Sequence, residues 1–294
     1  VVGSGAGARP TDVSRYGTLL DALHGLRWPA RRLVGAGQPG AHRSRRRGTA
    51  VEFTEYRPYR QGDDPRRLDW KLLARTDRAY VRLSDDHTVL PTTLVVDASA
   101  SMAYPLATLG KWQLACHLAV GLSAVTQTSG DPVGLVAAAG DQPVADVRPS
   151  SRRGTVGAIA ATLAQITPGA GHGTGISTYQ SRGRLVIISD FLQSSDAEAA
   201  RARASIAAGV EVYAVHVVAR EELDPPPRAI MVSDPENVAL RRPLIGTARA
   251  TYLAAFTEWR ATLQRDWIAV GASFYIVATD ESPARAVRRI VTAA

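Results

Sequence analysis

VLPTTLVVDASAS, residues 89–101, decides how this chain is read. It begins as a short apolar run rich in β-branched residues, which suits a strand buried on both faces. It ends abruptly on Asp97, followed by the small polar alternation Asp97-Ala-Ser99-Ala-Ser101. A buried strand that terminates on a carboxylate and two spaced hydroxyls delivers oxygen donors to one edge of a sheet.

The residues downstream keep a regular rhythm. KWQLACHLAVGLSAVTQ (Lys111–Gln127) has helical spacing, DPVGLVAAAG reads as a strand, and RRGTVGAIAATLAQI as a helix. RLVIISD (Arg184–Asp190) is a second apolar strand ending on an acid. DAEAARARASIAAG follows as a helix closed by Gly209, the residue suited to a left-handed cap. VEVYAVHVV, the long ATYLAAFTEWRATLQRDWIAVG, ASFYIVATD and SPARAVRRIVTA continue as strand, helix, strand and helix. This alternation predicts a doubly wound α/β domain over residues 89–294, a mainly parallel sheet flanked by helices.

In such a sheet, ligands gather outside the carboxyl ends of the strands, where the strand order reverses. Asp97 and Asp190 are both expected there. Ser99 and Ser101 join Asp97 by alternation, and the glycine-rich GAGHGTGIST brings Thr174 just before the Asp190 strand. Ser177 and Thr178 are nearby alternatives to Thr174. These are hard oxygen donors of the kind Mg²⁺ or Mn²⁺ takes. The bland alternative is that Asp97 and the serines only cap the next helix.

DASAS is a complete D-x-S-x-S element, and it resembles the metal-ion-dependent adhesion site of von Willebrand factor A domains. The resemblance implies Ser99, Ser101 and Thr174 as direct ligands, with Asp97 and Asp190 acting through bound water. It implies one divalent cation, Mg²⁺ first, with Mn²⁺ or Ca²⁺ as alternatives. An open coordination position would then accept a carboxylate from a partner.

Upstream, GTAVEFTEYRPYRQGDDPRRLDWKLLARTDRAYVRLSDD resembles the hallmark region of the bacterial domain-of-unknown-function 58 family. The matching positions are Gly48, Glu52-Phe53, Arg57, Tyr59, Gly62-Asp63-Asp64, Arg66, Asp69-Trp70 and Ala74-Arg75. With the core, the resemblance covers about residues 45–280, including Asp234–Asn237 (DPEN), where the family's usual Thr-Gly continuation is replaced by Asn237-Val238. Members are typically encoded beside MoxR-type AAA+ ATPases. The resemblance thus implies an adaptor or co-chaperone, not an enzyme, serving such an ATPase or a client that offers an acidic residue.

Residues 49–88 are expected as an extension packed on the core, with strands near Ala50–Thr54 and Ala79–Ser84. Arg57, Arg66 and Arg75 face Glu52, Glu55, Asp63, Asp64 and Asp69 as candidate pairs, with Trp70 as anchor. This segment reads as a clasp or as a partner-binding surface. Residues 1–48 read as a separate segment: a helix in DVSRYGTLLDALHGL behind a cap at Thr11, then a flexible basic linker, GAGQPGAHRSRRRG.

Composition excludes several classes. The single cysteine, Cys116, rules out an internal disulfide and a cysteine zinc cluster. No apolar run approaches a bilayer span, and the first residues lack the pattern of a signal peptide, so a cytoplasmic protein is expected. The net charge of +8 is uneven. Residues 1–82 hold 17 Lys+Arg and 8 Asp+Glu, a balance of +9, and the remainder holds 18 and 19. The Arg43–Arg47 region therefore offers nucleic-acid binding as an alternative function. A metal-assisted phosphoester hydrolase is another, with His172 as the nearby base. The glycines of VVGSGAGARP lack a preceding strand, and GAGHGTG lacks the Lys-Ser/Thr of a P-loop. His117 and His216 read as core residues, and Trp112, Trp259 and Trp267 as packing residues.

Overall fold

The computed structural model describes residues 13–31, 39–48, 55–61, 63, 65, 68–140, 142–169, 183–193, 196–226, 230–233, 241–244 and 246–293. Two units divide the chain: Val1–Trp28 with Pro91–Ala294, and Pro29–Leu90. In order the elements are α1 (Gly17–Ala22), β1 (Pro39–Gly48), β2 (Glu55–Pro58), α2 (Trp70–Thr76), β3 (Tyr80–Thr88), β4 (Thr92–Asp97) and a 3₁₀ turn (Ala100–Ala103). Then come α3 (Gly110–Thr128), β5 (Val133–Ala139), β6 (Gln142–Ser150), α4 (Thr155–Ala164), β7 (Arg184–Ser189), α5 (Asp196–Ala207) and β8 (Glu211–Val218). The chain closes with α6 (Arg220–Leu223), β9 (Ile230–Ser233), β10 (Arg241–Leu244), α7 (Gly246–Ala269), β11 (Ser273–Ala278) and α8 (Pro283–Thr292).

The larger unit is built on a six-stranded sheet in the order β11-β8-β7-β4-β5-β6. All neighbouring pairs are parallel except β5 with β6. Burial on both faces explains the unbroken apolar strands. Leu94 and Val96 of β4 enter one core with Val186 and Ile188 of β7, under α1, α3, α4 and α8. Val95, Leu185 and Ile187 point the other way, into a second core with Ala202 of α5 and Leu263 and Trp267 of α7. The chain leaves β4 for β5 on one side and returns to β7 on the other, so the strand order reverses between β4 and β7. Asp97 closes β4 and Asp190 directly follows β7, which puts both at the carboxyl ends of these neighbours.

The N-terminal segment departs from expectation. Tyr16, Leu19, Leu23 and Trp28 belong to the first core, so residues 13–28 are part of the larger unit. The Trp28 N–H donates to Ser129 Oγ at 2.8 Å, and the Arg184 guanidinium lies 4.0 Å from the Trp28 ring centroid while ion-pairing with Glu211 at 3.3 Å. The expected flexible linker is also corrected: Pro39–Gly48 is strand β1, antiparallel to β3. Backbone pairing holds it there, which its composition does not announce. The β9–β10 hairpin and the antiparallel edge strand β6 are further elements beyond the expected pattern.

In the smaller unit β1, β3 and β2 form a three-stranded antiparallel sheet. Arg57 pairs with Asp63 at 2.7 Å. Asp69 caps α2 by accepting the Leu72 N–H at 2.9 Å, and also accepts the Tyr56 hydroxyl at 2.8 Å. Two of the expected clasp acids are thus engaged locally. Trp70, which opens α2, is 64% exposed. Arg75 lies on the exposed surface. Glu52, Phe53, Gly62, Asp64, Arg66 and residues 234–237 lie outside the described residues.

Candidate functional site

Asp97, Ser99 and Ser101 come together as their alternation requires. One Asp97 oxygen accepts the Ser99 N–H at 2.8 Å, which folds the turn back over the strand end. The Ser99 and Ser101 hydroxyl oxygens lie 3.1 Å apart. The other Asp97 oxygen accepts the Ser189 hydroxyl at 2.6 Å, tying the end of β4 to the residue before Asp190. Asp97, Ser99, Ser101 and Asp190 are each 3% exposed. Ser99 bridges to Gly169, and the Gly169 N–H donates to the Ala98 carbonyl at 3.0 Å, so the glycine-rich loop starts beside the serines. Thr174 and His172 lie outside the described residues, as do the side chains of Arg43–Arg47.

The backbone is tense on this edge. Phe191, directly after Asp190, has φ +55°, and Leu109, two residues before Lys111, has φ +50°. Neither type favours the left-handed region, and each costs on the order of 1–3 kcal/mol. Burial of Phe191 against Trp267, ring centroids 5.2 Å apart, holds the first of them. The turn lets Asp190 accept the Leu192 N–H at 3.2 Å with one oxygen.

Sequence reasoning missed two members of the site. Lys111 Nζ donates to the second Asp190 oxygen at 2.7 Å and to Glu222 at 2.9 Å. Glu222 in turn accepts the Ala219 N–H at 2.7 Å at the start of α6. A signal for Lys111 did exist. It is one of two lysines in the chain, and with Leu114, Ala115 and Leu118 it has the spacing of a buried helix face. No comparable signal marks Glu222.

Burial and neighbouring charges shift both Asp97 and Lys111. Burial first, and then the Asp190 charge, push the Asp97 carboxyl up to about 7. Burial opposes the Lys111 ammonium, yet Asp190 and Glu222 outweigh it and hold its pKa above the ordinary lysine value. Among the described residues no three or more His, Cys, Asp or Glu side chains gather as a metal cluster. A cation here would therefore need the serine hydroxyls as ligands beside the two aspartates. Each of the four carboxylate oxygens already accepts a hydrogen bond. That donor set fits a hard divalent ion.

A cleft of about 500 Å³ opens at the neighbouring N-termini of α3 and α8, with Pro105, His117, Arg220 and Asp280 in its wall. His117 is half-buried rather than in the core, its Nδ1 2.7 Å from the Gln113 carbonyl. His216 is buried between Phe191 and Trp259. Among the described residues no helix is long and apolar enough to cross a membrane.

Among solved structures, an aerotolerance-related membrane protein of Bacteroides fragilis, carrying mutations to serine, aligns with a TM-score of 0.44. Identity is 16%, over 70% of this chain and 100% of that one. BatB of Bacteroides thetaiotaomicron aligns with a TM-score of 0.41 at 16% identity, over 69% of this chain and 98% of its own. Relatives in sequence include the uncharacterized proteins Mb1516 of Mycobacterium bovis and Rv1480 of Mycobacterium tuberculosis. Each is 31% identical over 246 residues, 79% of this chain and 76% of theirs. Residues 55–262 match the family described as "Protein of unknown function DUF58". That span runs from the hallmark strand β2 into α7 and takes in the whole rim from Asp97 to Glu222, so the chain belongs to the DUF58 family.

Proposed function

We propose that this chain is a von Willebrand factor A-like, metal-dependent protein-binding module without catalytic activity of its own. Ser99, Ser101 and Thr174 would hold one divalent cation, Mg²⁺ first, with Asp97 and Asp190 acting through bound water. The cation supplies a positive charge of low ligand neutralisation that attracts an outside carboxylate. The protein's own part is to fix the hydroxyls, exclude bulk water and present the rim to a partner.

The observation that carries this reading is the meeting of the Ser99 and Ser101 hydroxyls, 3.1 Å apart, beside Asp97 at the strand-order reversal. Exposed leucines on the same loops support a protein partner. Leu106 is 80% exposed beyond the 3₁₀ turn, and Leu192 is 42% exposed two residues after Asp190. Apolar residues around a charged centre give a docking site its area while the charge gives its selectivity.

The partner is proposed from the resemblance across residues 45–280: a MoxR-type AAA+ ATPase in the cytoplasm, or a client it serves, offering an acidic residue. Affinity capture from lysate tests this. Capture of such an ATPase should require Mg²⁺ and disappear with Asp97→Ala, while circular dichroism shows the variant folded. Full capture in excess chelator contradicts the reading.

A further inference from the structure

Lys111 is out of place as a packing residue. It is 1% exposed on the buried face of α3, where the neighbouring positions are Leu114, Ala115 and Leu118. Removing an ammonium from water is costly, and only close pairing offsets it. The pairing here is with Asp190 at 2.7 Å and Glu222 at 2.9 Å, with the Tyr104 ring centroid 5.7 Å away.

Of these partners, Asp190 belongs to the rim and Glu222 is fixed elsewhere, at the start of α6. Asp97, Asp190, Glu222 and Lys111 sum to −2 when all are ionised. A divalent ion approaching the rim meets an ammonium already in contact with one of its two aspartates.

We infer that Lys111 is a built-in competitor for the cation, and that Glu222 is the acceptor that keeps its ammonium when a metal draws on Asp190. This rests on the metal-dependent reading above and adds its regulation. Lys111 is a positioning residue that keeps cation affinity low. Cation binding is then coupled to α6, because Glu222 caps that helix. It is coupled to α7 as well, because the Tyr252 hydroxyl donates to the Glu222 carbonyl at 3.2 Å.

The test is Mn²⁺ binding to the full chain by titration calorimetry, with wild type, Lys111→Met, Glu222→Gln and Asp97→Asn. Lys111→Met makes the cluster more negative by one charge and should bind Mn²⁺ about tenfold more tightly. Glu222→Gln leaves the ammonium committed to Asp190 and should bind about tenfold more weakly. A merely structural role would not move the two in opposite directions. Thermal melting gives a second readout. Lys111→Met should melt lower than wild type in chelator, because buried carboxylates lose their partner, and should gain more than wild type from saturating Mn²⁺.

If wild type binds, Asp97→Asn does not, and Lys111→Met binds no tighter than wild type, the competitor role is overturned and the metal site stands. If neither wild type nor Lys111→Met shows binding or stabilisation, both ideas fall. Should Lys111→Met not fold, Glu222→Gln decides alone: weaker binding supports the inference, and equal or tighter binding overturns it.

Discussion

Asp97 and His216 are displaced by the same burial in opposite directions, because burial favours whichever form is neutral. The Asp97 carboxyl rises from 3.8 to about 7. The His216 imidazole falls from 6.5 to about 3, with burial as the main cause. In metal-free protein the folded state keeps a proton on Asp97 that the unfolded chain has released, so stability is lost as pH rises from 3.8 through about 7. For His216 the unfolded chain takes up a proton that the fold refuses, so stability is lost as pH falls from 6.5 towards about 3. The two slopes oppose each other over most of the acid range. Asp97→Asn removes the first of them. Urea melts in chelator should show the variant gaining stability relative to wild type as pH rises from about 4.5 to 6.5, by on the order of 1 kcal/mol per pH unit. A constant difference between the two contradicts the burial argument. Cys116 follows the same rule. Burial pushes its thiol up to about 12, and it should resist alkylation until the protein unfolds. At this scale Asp97, Ser99, Ser101 and Asp190 were legible because polar residues punctuate apolar strands. Glu222 was not, since it meets Lys111 across 111 residues and no local pattern encodes that meeting.

Strands β4 and β7 could be read directly, because burial on both faces leaves a continuous apolar run. Strand β6 carries Asp146 and Arg148 at a sheet edge, where one side is wet, and it looks like a loop by composition. Strand β1 is similarly disguised by its arginines. Two glycines set how closely elements approach. Gly183, with φ +91°, leads into β7, and a Cβ there would collide with the Pro91 carbonyl oxygen. Gly183→Ala should cost about 2–4 kcal/mol, since both the conformation and the contact are wrong for alanine. Gly121 lies where α3 meets α8, and a Cβ would stand 2.9 Å from Val287 Cγ2 and 3.1 Å from Leu23 Cδ1. Alanine there gains about 1 kcal/mol of helix propensity, but overpacking costs about 1–3 kcal/mol. With neighbours on both sides the cost wins, and denaturant melts of Gly121→Ala should show a net loss. Leu106 makes the opposite prediction. It is 80% exposed, so Leu106→Ala should leave stability within about 0.5 kcal/mol while weakening partner capture.

At the scale of the whole molecule, the N-terminal segment is the largest departure from a reading by composition. Its glycine- and arginine-rich surroundings suggest a loose tail, yet Tyr16 and Trp28 are fully buried in the main core. Four apolar side chains at helical and post-helical positions decide the matter, and their partners lie about 100 residues away or more, beyond any local window. Deleting residues 1–28 exposes the faces of α3 and α8 that these side chains cover. Trp28→Ala alone should cost about 3–5 kcal/mol, read as a lower midpoint in urea.

Oxygens from loops far apart in sequence are proposed to grip one hard cation where the strand order reverses. Crystals grown with Mn²⁺ and measured for anomalous scattering test it most directly. One strong peak is expected about 2.1 Å from both the Ser99 and Ser101 hydroxyl oxygens, with Asp97 and Asp190 around it. An empty rim at saturating Mn²⁺, with Lys111 still against Asp190, would contradict it.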